Sequence, residues 1–455
     1  MKKFILYSIL FAVSANMAKA QGFRIELKTP QLPVDSLFIS KYNYGKKNFK
    51  PVYAVKYSER AVFTDGKFLQ PALYLIYADT NVLAEFLISD IDNQRFTIEI
   101  GNNSVVYYGN EENNANLQYQ QKIKEFDQQA TLLNLAYQKM SAMEKQVKMD
   151  SIILEHQAIT RQKQAYQTQI AEKYKGSLLA SIILSVMEVP PAPLEYLKDK
   201  TLYYRYLAEF CFYKYDFSDN RILATPLADN KFRQFSEIIA ELDAEEAIPY
   251  VIDALRKSQV SFQQYSDLFD YLEHNFGDIK SPYRKEALYI AMLRYALADA
   301  YTDEYRKTRY RHELSLINKN HAGDKLPDFN LIMQNGDTTN LYNIKAERLL
   351  VFLQNPSCPT CKKVREKLKE MKNALSKQQI TVLTVYFEED KSLWQKYLQN
   401  DAFPDWLHGW NYDLTIEGEN RIDIRSIPTL YLLDKNKIIL KKDIDIHELE
   451  LIIDN

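Results

Sequence analysis

The 455-residue chain contains only three cysteines, Cys211, Cys358 and Cys361. So few thiols exclude a scaffold held together by disulfides, because such scaffolds are dense in cysteine. Lysine and arginine are not clustered and the formal net charge is −2, so nothing suggests a nucleic-acid-binding surface. Beyond the first residues, no stretch approaches the roughly 20 apolar residues of a membrane-spanning helix, and no transmembrane segment is predicted.

Residues 1–20 have the three parts of a cleavable secretory signal. Met1-Lys2-Lys3 is the basic end, the segment from Phe4 to Ala15 is a short apolar core, and Ala18-Lys19-Ala20 is a small-residue cleavage site. Cleavage would remove three lysines and no acid, which moves the formal net charge to −5. No cysteine follows the apolar core, so acylation there is excluded. We expect an exported protein, most simply one of a bacterial periplasm.

The remaining sequence predicts a multidomain protein in which an N-terminal all-β sandwich and a central all-α region precede an α/β domain. Short alternating apolar segments separated by turn residues predict the sandwich. No glycine or proline occurs between Gly109 and Gly176, which predicts a long helical pair, broken near Lys148-Met149-Asp150. Pro190-Pro191-Ala192-Pro193 marks the clearest internal boundary. The predicted divisions are a signal peptide (1–20), a β-sandwich-like domain (21–109), a long helical segment (110–193), a helical domain (194–320) and the α/β domain (321–455).

The clearest chemical motif is Cys358-Pro359-Thr360-Cys361, which follows Ser357 at a predicted strand-to-helix turn. The apolar run Arg348 to Leu353 is typical of a buried parallel strand, and helical periodicity begins after the motif. The unpaired N–H groups and partial positive charge of a helix start favour a thiolate over a thiol. We therefore expect Cys358 to be the nucleophile, with Lys362 and Lys363 adding positive charge nearby. Cys361, one turn deeper on the same side, is the expected resolving thiol.

Two other interpretations of the motif remain open. It could be half of a zinc site, but a closed zinc site usually needs four ligands, and His321, His408 and His447 show no paired ligand spacing. It could also be a pair of inert thiols. The third cysteine, Cys211, lies among aromatic residues, which favours a small buried hydrophobe over a thiol that pairs with a partner or with the motif. No metal and no cofactor are predicted.

The segment after His321 resembles the thioredoxin-like fold, and within it the periplasmic TlpA/ResA-type thiol-disulfide oxidoreductases. Three features carry the resemblance: the opening from Gly323 to Leu341, the Cys-Pro-Thr-Cys motif, and Arg425-Ser426-Ile427-Pro428-Thr429. The resemblance implies a cis Ile427-Pro428 bond that faces the two cysteines and shapes a groove for an extended substrate. The rest of the chain resembles uncharacterised β-rich and helical domains that accompany such modules in exported proteins of Bacteroidota.

The sequence departs from this family at two positions. Ser357 stands where many relatives have an aromatic residue, and Phe352 stands where cytosolic thioredoxins keep a buried acid, so the proton acceptor for Cys361 is not identified. One of Glu388, Glu389 and Asp390 could serve, although acids are common at the start of a helix.

The resemblance implies an exported thiol-disulfide oxidoreductase that acts on protein or peptide thiols and disulfides. It favours a reductant supplied with electrons by a membrane partner, while an oxidase or isomerase would use the same residues. The alternative from another class is a binding or scaffold protein whose thioredoxin-like domain is not catalytic.

Overall fold

The structure is a computed structural model that describes residues 22–454 except 31, 43–48, 58–59, 91–93, 102–103 and 419–420. The predicted signal peptide lies outside the described residues. No helix in the described part of the chain is long and apolar enough to cross a membrane. The chain forms two compact units, one containing residues 22–242 and 254–268 and the other residues 243–253 and 269–454.

The first unit begins with a β-sandwich, as the alternating apolar pattern predicts. Its strands are Arg24–Lys28 (β1), Ser36–Lys41 (β2), Tyr53–Lys56 (β3), Arg60–Thr64 (β4), Ala72–Ala78 (β5), Asn81–Ile88 (β6), Arg95–Ile100 (β7) and Val105–Tyr108 (β8). Within the described residues they form two sheets, in the orders β4-β1-β7-β8 and β3-β2-β5-β6. Ile25 and Ile98 of one sheet and Ile39 and Phe86 of the other share one buried core, so the sheets pack face to face.

The central part of the chain is helical, as predicted. Its helices are Glu111–Gln138 (α1), Ala142–Lys173 (α2), Leu178–Ser185 (α3), Lys200–Phe210 (α4), Leu227–Ala240 (α5), Ala244–Ser258 (α6), Phe262–Phe276 (α7), Glu286–Ala298 (α8) and Glu304–Ile317 (α9). The predicted break near Lys148-Met149-Asp150 is wrong, because α1 ends at Gln138 and α2 begins at Ala142. Ser141 and Glu144 form a capping box that starts the second helix.

The second unit contains the predicted α/β domain. Its elements are Asn330–Met333 (β9), Thr338–Asn340 (β10), Arg348–Leu353 (β11), Pro359–Glu370 (α10), Lys372–Lys377 (α11), Ile380–Tyr386 (β12), Lys391–Asn400 (α12), Leu407–Trp410 (β13), Thr415–Gly418 (α13), Thr429–Asp434 (β14), Ile439–Lys442 (β15) and Ile446–Asp454 (α14). The sheet order is β10-β9-β13-β12-β11-β14-β15 within the described residues. β11 pairs in parallel with β12 and antiparallel with β14.

β11 is an inner strand of the sheet, and its side chains are buried on both faces of the sheet. Leu349, Val351 and Leu353 belong to one apolar cluster, and Leu350 and Phe352 belong to the cluster on the other face, together with α10 and α14 side chains. A strand packed in this way fixes the position of the turn that follows it. The same second unit also contains α8, α9 and the last residues of α7. The sequence predicts more domains than these two compact units, and the boundaries between those domains stay predictions.

Candidate active site

Both cysteines of the motif lie where β11 passes into α10. Cys358 is the N-cap of α10, Pro359 is its first residue, and Cys361 lies one turn further along. Proline suits this first position because its missing N–H would have no partner in the helix. Ser357, Pro359 and Thr360 are exposed, Cys358 is half-buried and Cys361 is fully buried.

The Cys358 sulfur is held by two backbone groups. Cys361 donates its backbone N–H to Cys358 Sγ over 3.4 Å, in the manner of a side-chain helix cap. The Cys358 thiol faces the backbone carbonyl of Ile427, with Sγ and O 4.0 Å apart. Both cysteines are free thiols in this structure. Cys358 is thus presented between the start of a helix and the segment that contains Pro428.

The pKa of the Cys358 thiol is lower than the ordinary value of a cysteine. Partial burial alone would raise this pKa, but hydrogen bonds from Cys361 and from the Thr360 N–H, with the positive charge of Lys280, outweigh it. A helix start favours the thiolate for the same electrostatic reason. Cys358 is therefore the more nucleophilic of the two thiols at neutral pH.

Cys361, in contrast, lies in an environment that raises the pKa of its thiol. Burial raises the pKa of its thiol to about 12, and the neighbouring Cys358 adds to the rise, whereas the Asn355 N–H and the Arg365 charge oppose it. Phe352 belongs to the same apolar cluster as Cys361. Because Cys361 stays protonated at neutral pH, it does not compete with Cys358 for an incoming disulfide. It is close enough to Cys358 to hydrogen-bond with its sulfur.

The Ile427-Pro428 peptide bond is cis, and both residues are half-buried. The Ile427 side chain packs against the apolar clusters on both faces of the sheet. Its carbonyl oxygen is the group that faces Cys358 Sγ. Ile427, one of the two residues predicted to bind substrate, therefore lies beside the thiol predicted to attack it, and Pro428 follows it directly.

Asn355 fixes the turn that leads to Cys358. Its side chain accepts the Ser357 N–H over 2.7 Å and donates to Glu388 Oε1 over 2.6 Å, and its carbonyl accepts the Cys358 N–H over 3.1 Å. Of the three candidate acids, Glu388 is thus the one tied to the active-site turn. Asp390 instead caps α12 by accepting the N–H groups of the next helical residues.

A buried arginine lies beneath the turn. Arg365 is 2% exposed, donates to Gln354 Oε1 and, over 3.3 Å, to the Pro356 carbonyl, and its guanidinium lies 5.2 Å from the centre of the Tyr397 ring. All of these partners are neutral. Buried charges usually have an opposite charge beside them. No carboxylate is among these contacts, and the Arg365 charge acts against the rise in the pKa of Cys361.

The other residues singled out in the sequence lie outside this site. Cys211 is fully buried, and burial raises the pKa of its thiol to about 11, which is the environment of a packing residue. His408 is also buried, where its ring nitrogens contact Thr384 and the Phe403 carbonyl. No group of potential ligands that could hold a metal ion occurs in the described parts of the chain.

Sequence reasoning missed Lys280 and Arg365. Arg365 could have been found, because it follows Cys361 by four residues and precedes Leu368 by three, which places all three on one helix face. Lys280 had no such signal, because it comes from a loop before α8, far from the motif in the sequence.

Comparisons with known proteins agree with this geometry. Residues 347–439 match a family described as thioredoxin-like, and residues 155–320 match a domain of unknown function, DUF5106. No curated protein matches the chain.

Several solved structures are similar to parts of the chain. A thioredoxin-like protein from Bacteroides caccae is 26% identical with a TM-score of 0.52, covering 58% of this chain and 97% of that one. The C-terminal domain of an uncharacterized protein from Bacteroides fragilis is 34% identical over 30% of this chain and 99% of its own, with a TM-score of 0.29. The thioredoxin domain of a thiol-disulfide oxidoreductase from Bacteroides vulgatus is 21% identical over 30% of this chain and 96% of its own, with a TM-score of 0.27.

The matched family, the fold and the two thiols together support a thiol-disulfide redox role in general terms. The chain therefore carries a thioredoxin-like domain, matched over residues 347–439, and a DUF5106 region before it, matched over residues 155–320.

Proposed function

We propose that the protein is an exported thiol-disulfide oxidoreductase that reduces disulfides in other proteins through Cys358 and Cys361. The observation that carries the proposal is the contrast between the two thiols. Cys358 is half-buried at a helix start with a lowered pKa, and Cys361 is buried behind it with a pKa raised to about 12. A nucleophile with a protected second thiol is what disulfide exchange requires.

In the proposed reaction, the Cys358 thiolate attacks one sulfur of a substrate disulfide. A mixed disulfide forms between Cys358 and the substrate, and the other substrate sulfur leaves as a thiolate that takes a proton from water. Cys361 then gives its proton to water and attacks Cys358 Sγ, which releases the second substrate sulfur as a thiolate and leaves a Cys358–Cys361 disulfide. The released thiolate takes a proton from water. The substrate gains two electrons and the protein loses two.

The oxidised protein then needs a dithiol donor, which we propose to be a membrane partner. The cis-proline segment supports the substrate assignment, because the Ile427 backbone lies beside Cys358 and can pair with an extended polypeptide. The predicted signal sequence supports export to a periplasm. Reduction rather than oxidation is proposed because the chain resembles TlpA/ResA-type proteins.

Three variants of the protein lacking residues 1–20 test the proposal in an insulin-reduction assay with dithiothreitol as the electron source. Cys358→Ser should abolish activity, because no nucleophile remains. Cys361→Ser should abolish turnover and accumulate a mixed disulfide through Cys358. Cys211→Ala is the matched control, since this third cysteine is fully buried and belongs to the other compact unit, and it should keep the activity of the unmodified protein.

Equal activity of Cys358→Ser and the unmodified protein would contradict the proposal. Such a result, together with no trapped partner in Cys361→Ser, would favour a binding or scaffold protein with a non-catalytic thioredoxin-like domain.

A further inference from the structure

The helical residues from Phe269 to Ile317 belong to the same compact unit as the thioredoxin-like domain. A buried ion cluster joins the two parts. Arg425 contacts Asp443 at 2.7 Å and Glu286 at 3.3 Å, and Arg284 contacts the same Asp443 oxygen at 2.8 Å. The side chains of Arg425 and Asp443 are 6% and 2% exposed. Removing one partner from such a cluster would leave an uncompensated buried charge, so these contacts fix how the helical part and the domain meet.

This cluster lies next to the substrate-binding segment in the sequence. Arg425 is followed directly by Ser426, Ile427 and Pro428. Arg425 is also held by Asp423, 2.9 Å from its Nε. The helical part therefore supports the backbone that faces Cys358.

A cleft of about 420 Å³ lies between the loop that follows α7 and this segment. Gly277 to Lys280 line one side, and Arg425 and Ser426 line the other. Ser426 precedes Ile427, whose carbonyl oxygen is 4.0 Å from Cys358 Sγ. The cleft therefore borders the segment that holds the Ile427 carbonyl beside Cys358.

The loop over residues 277–285 is well fixed by its own hydrogen bonds. The Gly277 N–H donates to the Glu273 carbonyl over 2.8 Å, the Lys280 N–H donates to Asp278 Oδ1 over 2.8 Å, and the Lys285 N–H donates to the Phe276 carbonyl over 3.1 Å. A β-carbon on Gly277 would lie 2.7 Å from the Tyr289 ring, so glycine lets the loop approach α8 closely.

Lys280 is the cation that this loop brings to the site. Its side chain is exposed, and no carboxylate of the described residues lies within ion-pair distance of its ammonium group. Its charge contributes to the lowered pKa of Cys358. The ammonium group is therefore free to interact with an anion that forms at the thiols.

We propose that the loop 277–285 forms a second wall of the substrate groove, in which Lys280 stabilises the Cys358 thiolate and the thiolate released from the substrate. The inference rests on the proposed function and assigns a task to part of the DUF5106 region. Lys280 acts only through its charge and forms or breaks no covalent bond. The bonds formed and broken are those of the exchange between Cys358 and the substrate disulfide.

The test uses the protein lacking residues 1–20, and it measures the rate of Cys358 alkylation by iodoacetamide as a function of pH. A single exposed charge near a thiolate changes the thiolate population by about two- to fivefold. Lys280→Met should therefore slow alkylation by about that factor below the pKa, and Lys280→Glu should slow it further. Lys280→Arg should retain the rate of the unmodified protein, because it keeps the charge.

Lys377→Met is the matched control, because it removes one exposed lysine at the end of α11 in the same unit. Its alkylation profile should match that of the unmodified protein. Raising the salt concentration should reduce the difference between Lys280→Met and the unmodified protein, because ions screen exposed charges.

Equal alkylation profiles for Lys280→Met, Lys377→Met and the unmodified protein would overturn the inference. That failure is distinct from failure of the proposed function. If insulin is still reduced in a Cys358-dependent manner, the proposed function stands and only the role of Lys280 is rejected. If insulin is not reduced by the unmodified protein, the proposed function fails whatever Lys280 does to the thiol.

Discussion

Replacement of Arg365 by methionine should slow the resolving step without unfolding the protein. The guanidinium is 2% exposed and its polar contacts are the Gln354 side chain and the Pro356 carbonyl. Loss of hydrogen bonds to buried groups costs about 1–3 kcal/mol. Removal of a buried charge that has no carboxylate partner offsets this cost by a similar amount. We therefore expect the melting temperature to change by only a few degrees.

The main effect of the substitution should be on the reactivity of the Cys361 thiol. Unit charges 4 Å apart attract by about 4 kcal/mol at an effective dielectric constant of about 20. A third of that energy corresponds to about one pKa unit, or a tenfold change in thiolate population. Because the Arg365 charge is the smallest of the contributions to the pKa of Cys361 and acts against burial, Arg365→Met should slow attack by Cys361 by no more than about tenfold.

The assay follows the reaction with 5,5′-dithiobis(2-nitrobenzoic acid), which releases one thionitrobenzoate when Cys358 attacks and a second when Cys361 resolves the mixed disulfide. Only the second phase should be slowed in Arg365→Met. Arg365→Lys is the control, since it keeps the charge and loses the planar group, and it should resolve faster than Arg365→Met. A second phase of unchanged rate in Arg365→Met would refute the electrostatic role of Arg365.

Three further results are expected. In the reduced native protein at pH 7, iodoacetamide should modify Cys358 alone, and mass spectrometry should find Cys361 modified only after unfolding, because burial protects it and raises its pKa to about 12. Burial lowers the pKa of His408, so this histidine binds a proton at higher pH in the unfolded chain than in the folded protein. The free energy of unfolding, measured with urea, should therefore decrease as the pH falls below about 6.5. His408→Gln should remove that part of the pH dependence. Gly277→Ala should lower stability by about 1–3 kcal/mol, because its β-carbon would meet a tyrosine ring at 2.7 Å, whereas Gly418→Ala, with nothing within 4 Å, should be nearly neutral in the same thermal-unfolding assay.

Local sequence patterns predicted the parts of the site that depend on local geometry. The apolar run of β11 and the periodicity of α10 place Cys358 at a helix start, and the structure has them there. The three fold classes along the chain were predicted for the same reason, because strand alternation, helical composition and turn residues are all short-range signals.

Features that depend on distant packing could not be predicted in this way. Lys280 reaches the site only because the loop after α7 is held against the segment containing Arg425, and no sequence pattern links these positions. The helix break between Gln138 and Ala142, by contrast, has a local sequence signal, because Ser141 and Glu144 have the spacing of a capping box. It was missed because the composition remains helical across the break.

The most direct test of the central claim is the redox equilibrium of the protein lacking residues 1–20 against a series of thiol-disulfide buffers, with thiol trapping to count alkylated cysteines. We predict a two-thiol transition that requires Cys358 and Cys361, at a potential near or below the roughly −270 mV of thioredoxin, as suits a reductant. A transition near about −120 mV would contradict the proposed direction and indicate an oxidant. The absence of a two-thiol transition at any potential would contradict the catalytic role itself.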